Sequence, residues 1–223
     1  MNNELQKRIL SSLILLPITL FFIFQGSIFF LFFLSIFFLV SSYEWIKINK
    51  KNITRIIGII YIFSSFYFAY VIRDKFSTEV FILILIICIF TDLGGYIFGK
   101  IFKGPKLTKI SPKKTYAGAI GGIILSLISA LIYTKSTTIG AMAYLNFIIP
   151  TSNNSFLNNF FLIFVLFISL TSQIGDLIIS YFKRKANVKD TGNIIPGHGG
   201  MLDRLDGIIF AIPISYILII LLK

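Results

Sequence analysis

The sequence predicts an all-α fold, a polytopic integral membrane helix bundle with seven or eight transmembrane spans. Three observations carry this prediction. Apolar residues make up 56% of the 223 positions and gather into long runs, giving a mean hydropathy of +0.88. Charged residues make up only 13%, about half the share of an ordinary soluble domain. The basic residues fall in alternate loops between the apolar runs.

A helix needs roughly 20 mainly apolar residues to cross the hydrocarbon core. On that measure the predicted spans are 9–25, 27–46, 55–73, 79–99, 115–134, 156–182 and 207–222. The stretch 139–150 is apolar but short, so it is either a re-entrant or interfacial piece or an eighth span. Lys7 and Arg8 precede the first run as they would in a secretory signal. No small-x-small cleavage site follows, and a second apolar run begins at once, so 9–46 is expected to stay as a helical hairpin. The chain divides into N-terminal transmembrane helices, 1–78, and a catalytic transmembrane region, 79–223, with loops 100–114 and 183–206.

With the N-terminus placed in the cytoplasm, 17 of the 21 Lys and Arg residues lie in cytoplasmic pieces. Only Arg73, Lys75, Lys135 and Lys223 fall outside. The positive-inside rule therefore predicts a multi-pass protein of the inner (plasma) membrane, its N-terminus and both large loops cytoplasmic. The net charge of +12 follows from the same rule. The basic residues lie against the membrane and no recognition motif accompanies them, which argues against nucleic-acid binding. The single cysteine, Cys88, excludes an internal disulfide and lies in an apolar run as a small hydrophobe. No Cys/His zinc spacing and no Walker-type loop is present.

The acids carry the functional argument, because the chain has only nine. Glu4, Glu44, Asp74 and Glu79 flank predicted spans and look ordinary. Asp92, Asp176, Asp190, Asp203 and Asp206 all fall toward the predicted cytoplasmic side. Asp92 and Asp176 sit inside apolar helices, where a carboxylate is costly and usually functional or paired. Asp92 precedes Lys100, and Asp176 precedes Lys183, by a distance that puts each roughly 10–12 Å below its basic rim. Both should point into one cavity open to the cytoplasm.

Two loops border that cavity. In the first, Ser111-Pro112 breaks the chain before Lys113-Lys114-Thr115 opens the next helix. A helix N-terminus with lysines and hydroxyls is a plausible phosphate cradle, although a solvated basic loop reads equally well. The second loop is more specific. Asp176, Ser180 and Lys183 share one helix face, and Asp203 and Asp206 open the last helix. Three carboxylates without soft ligands suit a hard divalent cation such as Mg²⁺, and Asp176, Asp203 and Asp206 are the expected metal ligands. Lys183, Arg184, Lys189 and Arg204 suit phosphate oxygens. The turn through Gly199 and Gly200 lets backbone approach a ligand closely. His198, the only histidine, reads as an acid/base, a phosphate donor or a turn residue. A metal with several cations around phosphates is what phosphoryl-type transfer requires.

Ser180 to Asp206, which includes Lys183-Arg184, Lys189-Asp190, Gly192, Pro196-Gly197-His198-Gly199-Gly200 and Asp203-Arg204-x-Asp206, resembles the diagnostic motif of the phosphatidate cytidylyltransferases, or CDP-diacylglycerol synthases, at every fixed position. Thr91-Asp92-Leu93-Gly94-Gly95-Tyr96, Gly99-Lys100 and Ser111-Pro112-x-Lys114-Thr115, followed by Gly118, Gly121 and Gly122, are similar too. The resemblance covers roughly 80–220. It implies transfer of the cytidylyl group of CTP to phosphatidate, giving CDP-diacylglycerol and pyrophosphate. It also implies Asp176, Lys183, Arg184, Asp203 and Arg204 as catalytic residues and Mg²⁺ with a second, monovalent cation. The expected substrate-binding residues are Asp92, Ser111, Lys113, Lys114, Thr115, Ser180, Lys189, Asp190, His198, Gly199 and Gly200. The partners expected are the two substrates, the lipid bilayer and a second copy of the chain as a homodimer. Two positions depart from the family: Ala117 stands where an acid or amide is common, and Ile179 where Glu is common. A relative acting on another lipid phosphate or alcohol is the nearest alternative. A transporter is disfavoured because the acids cluster at one face and no repeat is visible.

Overall fold

A computed structural model describes residues 3–108, 110–136, 155–194, 197 and 199–221. The short apolar stretch 139–150 and His198 lie outside the described residues. Seven helices are present among the described residues: α1 (Asn3–Gln25), α2 (Ser27–Ile48), α3 (Asn52–Val71), α4 (Thr78–Phe102), α5 (Tyr116–Ser136), α6 (Ser155–Lys185) and α7 (Leu202–Leu221). They match the seven predicted spans one for one. Helices α2 to α7 are each long and apolar enough to cross a membrane, and α1 adds a shorter apolar stretch, Leu13–Gln25. The protein is a polytopic membrane helix bundle.

The helix ends follow from local chemistry. Gly26, at φ 65°, turns the chain between α1 and α2 in a conformation that favours glycine. The last carbonyls of α1 have no partner within their own helix. Arg73, from the π-helical turn Ile72–Phe76 after α3, donates to two of them, Ile23 O at 3.1 Å and Phe24 O at 3.2 Å. The Ser77 hydroxyl caps α4 by accepting from Val80 N at 3.1 Å. Helix α4 ends where Lys103 and Gly104 take positive φ, at 52° and 82°.

Two apolar clusters hold the bundle. The larger runs through Phe30, Ile72, Leu83, Ile84, Ile87, Val165 and Ile168, and the smaller through Trp45, Ile48, Ile62, Ile179, Leu202 and Ile209. Lipid tails are as apolar as these side chains, so close packing and interhelical hydrogen bonds must supply the specificity. Thr91 Oγ1 on α4 lies 2.9 Å from Ser169 Oγ on α6, and Ser65 Oγ on α3 donates to Ile209 O on α7 at 2.5 Å.

The closest helix pair is α4 against α5. A Cβ on Gly94 would sit 2.6 Å from Gly121 O, and one on Gly118 would sit 2.6 Å from Gly95 O. Glycine at these contacts lets the two backbones touch. The 103–115 loop folds back on itself before α5: Leu107 N donates to Lys114 O at 2.8 Å and Tyr116 N to Pro105 O at 3.2 Å. Contacts of Glu44 with the 191–202 segment, and of Lys114 with Asp176, gather the 49–51 turn, this loop and the 186–201 loop at one end of the bundle.

Candidate active site

The α4–α5 contact sets Asp92 opposite the N-terminus of α5, and α6 closes the third side through Gln173, whose Nε2 donates to Ala119 O at 3.2 Å. Between them lies a cavity of about 320 Å³ lined by Thr91, Asp92, Tyr96, Ser111, Lys113, Lys114, Thr115, Gln173 and Asp176. The two intramembrane aspartates and the Ser111–Thr115 turn, separated by up to 84 residues in sequence, thus share one chamber, as the sequence predicts.

Lys114 Nζ pairs with Asp176 Oδ2, both side chains being about one-quarter exposed. The turn is built by Ser111 O, which accepts from Lys114 N at 3.0 Å, and by Thr108 Oγ1, which accepts from Ser111 N at 3.2 Å. Thr115 Oγ1 accepts from Gly118 N at 3.1 Å and so caps α5. Lys113 is exposed at the mouth.

A second cluster adjoins the first along α6. Ser180 Oγ donates to Asp176 Oδ1 at 3.3 Å, in line with the i, i+4 spacing. One turn further, Lys183 Nζ donates to Asp203 Oδ1 at 2.7 Å, with side-chain exposures of 11% and 8%. Asp203 Oδ2 accepts from Thr191 N at 2.8 Å and Gly200 N at 3.0 Å, and lies 3.1 Å from Thr191 Oγ1. Asp206 is buried one turn on, where its Oδ1 accepts from Gly207 N at 2.9 Å. Arg184, Lys189, Asp190 and Arg204 are exposed around this loop, with Arg184 Nη1 donating to Val188 O at 3.3 Å. Ile179, where relatives of the resembled family often carry Glu, is buried in the smaller apolar cluster.

The expected three-aspartate metal set is not assembled in this arrangement. Among the described residues no three Asp, Glu, His or Cys side chains form a group that could hold a metal ion. Asp203 Oδ1 accepts from Lys183 Nζ, and its Oδ2 accepts from the amides of Thr191 and Gly200. Asp92, Asp176 and Asp206 lie within electrostatic reach of one another, and the first two line the cavity. Mg²⁺ commonly binds through one or two carboxylates plus substrate phosphates rather than an all-protein cage. The hard oxygen donors of Asp176 and Asp92 on the cavity wall fit that mode.

The structure adds two features, one at the glycine-rich turn and one among the acids. Gly200 has no room for a side chain, but what approaches is protein: a Cβ there would sit 2.5 Å from Glu44 Oε2 and meet Thr191 Oγ1 as well. Glu44, expected to be an ordinary flanking acid, is 1% exposed. Its carboxylate accepts from Met201 N at 3.0 Å, Leu202 N at 2.8 Å and Thr191 Oγ1 at 2.8 Å. Its position at the end of an apolar run gave no signal of this. The one available hint was its place between Ser42 and Trp45 before the first basic loop, a pattern shared by any interfacial acid.

Fold and site together define a class of membrane helix bundle whose polar chamber is lined by lysines and aspartates at one end. Comparison with known proteins gives the family. The family model described as "Cytidylyltransferase family" matches residues 51–222, and the chain belongs to that family. Among curated relatives, the phosphatidate cytidylyltransferase of Rickettsia bellii is 45% identical over 130 residues, covering 56% of this chain and 51% of the relative. Those of Staphylococcus saprophyticus and Bacillus subtilis are 37% and 36% identical, covering 74% and 73% of this chain and 58% and 56% of the relatives. The chain therefore spans a little over half the length of these relatives.

Proposed function

We propose that this protein transfers the cytidylyl group of CTP to phosphatidate, forming CDP-diacylglycerol and pyrophosphate on the cytoplasmic face of the membrane. The observation that carries the reading is the cavity in which Lys113, Lys114 and the N-terminus of α5 face Asp92 and Asp176 inside a lipid-facing helix bundle. The family match and the names of the relatives support it.

In the reaction an oxygen of the lipid phosphate attacks the α-phosphorus of CTP. A new P–O bond forms as the α–β bridging bond breaks, and the electron pair leaves with pyrophosphate. The attacking oxygen is already ionised, so no strong general base is required. Two anionic substrates must be brought together, and the barrier to that is charge repulsion. Lys113 and Lys114 meet the triphosphate at the α5 N-terminus, where the helix dipole adds positive potential. Lys114 is held at the cavity by Asp176 and is released from that pair as the phosphates arrive. Arg184, Lys189 and Arg204 rim the same end and neutralise the lipid phosphate. Mg²⁺ bound with the triphosphate by Asp176, with Asp92 and Asp206 close by, would supply charge neutralisation at the phosphate oxygens. The diacyl tails stay in the bilayer against the exposed apolar faces of the helices.

The test is CTP-dependent consumption of phosphatidate by the purified protein in mixed micelles with Mg²⁺. Asp176→Asn should abolish turnover in protein that still elutes as the wild type. Full activity of Asp176→Asn across a Mg²⁺ titration would contradict the role given to this residue.

A further inference from the structure

Thr191 and Gly200, on either side of the Gly- and Pro-containing stretch before α7, carry the backbone donors that hold Asp203. What holds the segment is Glu44, on α2 and outside the stretch matched by the family model. Three donors converge on this buried carboxylate. Met201 N and Leu202 N, at the start of α7, are amides that a helix cannot pair internally, and Glu44 caps them from another helix, 157 residues from Met201 in sequence. The third donor, the Thr191 hydroxyl, is 2% exposed and lies 2.8 Å from Glu44 Oε2 and 3.1 Å from Asp203 Oδ2. Its single proton therefore bridges two carboxylates. The segment can close over Glu44 only because Gly192 and Gly200 carry no side chain: a Cβ on Gly192 would sit 2.6 Å from Glu44 Oε1. The chain of contacts runs Glu44, Thr191, Asp203, Lys183, from α2 to α6, the helix that also carries Asp176 of the cavity wall.

We infer that Glu44 is a positioning residue for the reaction: through Thr191 and the α7 N-terminus it fixes the 191–202 segment, and with it the placement of Asp203 and Lys183. The inference rests on the proposed transfer reaction for its catalytic part. Its structural part stands without it. A buried carboxylate left without donors is costly, and here each of the two oxygens meets at least one donor. An amide cannot replace it. Glutamine offers one acceptor oxygen, and either orientation of its NH₂ faces an N–H donor.

The experiment uses Glu44→Gln and the milder Thr191→Val, which replaces the bridging hydroxyl with a methyl group. Each is purified in detergent, checked for elution and helix content, and assayed for kcat and KM with both substrates. Hydrogen exchange is read in parallel over 186–206. Glu44→Gln should lower kcat/KM at least tenfold per folded molecule, and Thr191→Val should lower it a few-fold. The double variant should fall little below Glu44→Gln alone, because both act through one network. Exchange should rise across 191–202 in both variants and stay unchanged in α4 and α5. If Glu44→Gln merely yields less folded protein, and the surviving fraction keeps wild-type kcat, KM and exchange, the inference is overturned. Failure of the wild type to transfer cytidylyl groups would instead overturn the proposed reaction. In that case faster exchange at 191–202 would still support the positioning of the segment, and unchanged exchange would refute it.

Discussion

At the scale of single residues, two of the site's carboxylates are each matched to a lysine. Lys114 and Asp176 face each other in the cavity, and Lys183 and Asp203 do so in a drier setting. The two pairs predict different outcomes. Lys114→Ala removes a charge-assisted contact to phosphate, worth roughly 1.5–3 kcal/mol. Under the proposed reaction the KM for CTP or phosphatidate should rise about tenfold or more with the fold intact. Steady-state kinetics check this, and unchanged KM for both substrates would mean that Lys114 only solvates the loop. Lys183→Ala breaks a buried pair and leaves Asp203 without its counter-charge. That should cost about 3 kcal/mol of stability, read as lower thermal stability in detergent. The Asp176–Ser180–Lys183 face was legible from spacing alone, and so was the convergence of Asp92 and Asp176. Glu44 was not, because its donors at Thr191, Met201 and Leu202 are about 150 residues distant and leave no local pattern. The ties of Asp203 to Thr191 and Gly200 were hidden for a related reason: spacing shows which residues open a helix, not which side chain its loop will cap.

At the scale of elements, helix existence was legible from apolar run length, since each of the seven runs became a helix, with ends up to six residues from those expected where polar residues extend the first and last helices at their N-termini. Helix α6 is longer than its predicted span, 31 residues against 156–182, because its last turn carries Lys183, Arg184 and Lys185 out past the apolar stretch. The glycines at 94, 95, 99, 118, 121 and 122 were visible, but their use as an α4–α5 contact required coordinates. That contact makes a signed prediction. A Cβ on Gly118 meets backbone at 2.6 Å, so Gly118→Ala should destabilise by about 1–3 kcal/mol, as overpacking does. A Cβ on Gly95 meets nothing nearer than 3.8 Å, so Gly95→Ala should be neutral or gain up to about 1 kcal/mol of helix propensity. Thermal melts of the two variants in one detergent check the pair, and equal shifts would contradict the packing argument.

At the scale of the whole molecule, the bundle concentrates its polar chemistry at one end and leaves large apolar side chains such as Leu13, Phe24, Phe32, Ile60 and Phe63 exposed along its sides. That division follows from solvent. Backbone and charge must be satisfied inside the hydrocarbon layer, and phosphates must be handled at its edge. The basic loops gathered at that end should therefore lie on the cytoplasmic face. Single cysteines at the exposed positions Lys106 and Asn187 should resist an impermeant thiol reagent in intact cells and react after lysis. Cys88, 1% exposed, adds little background, and labelling of either position in intact cells would reverse the orientation. The proposed reaction itself is tested most directly by following the two ends of the nucleotide. Purified protein is given phosphatidate and Mg²⁺ with CTP labelled at either the α- or the γ-phosphorus. Attack at the α-phosphorus predicts that α-label enters the organic phase as a lipid, while γ-label stays in the aqueous phase as pyrophosphate. Transfer of γ-label to lipid, or no lipid label from either nucleotide, would contradict the account.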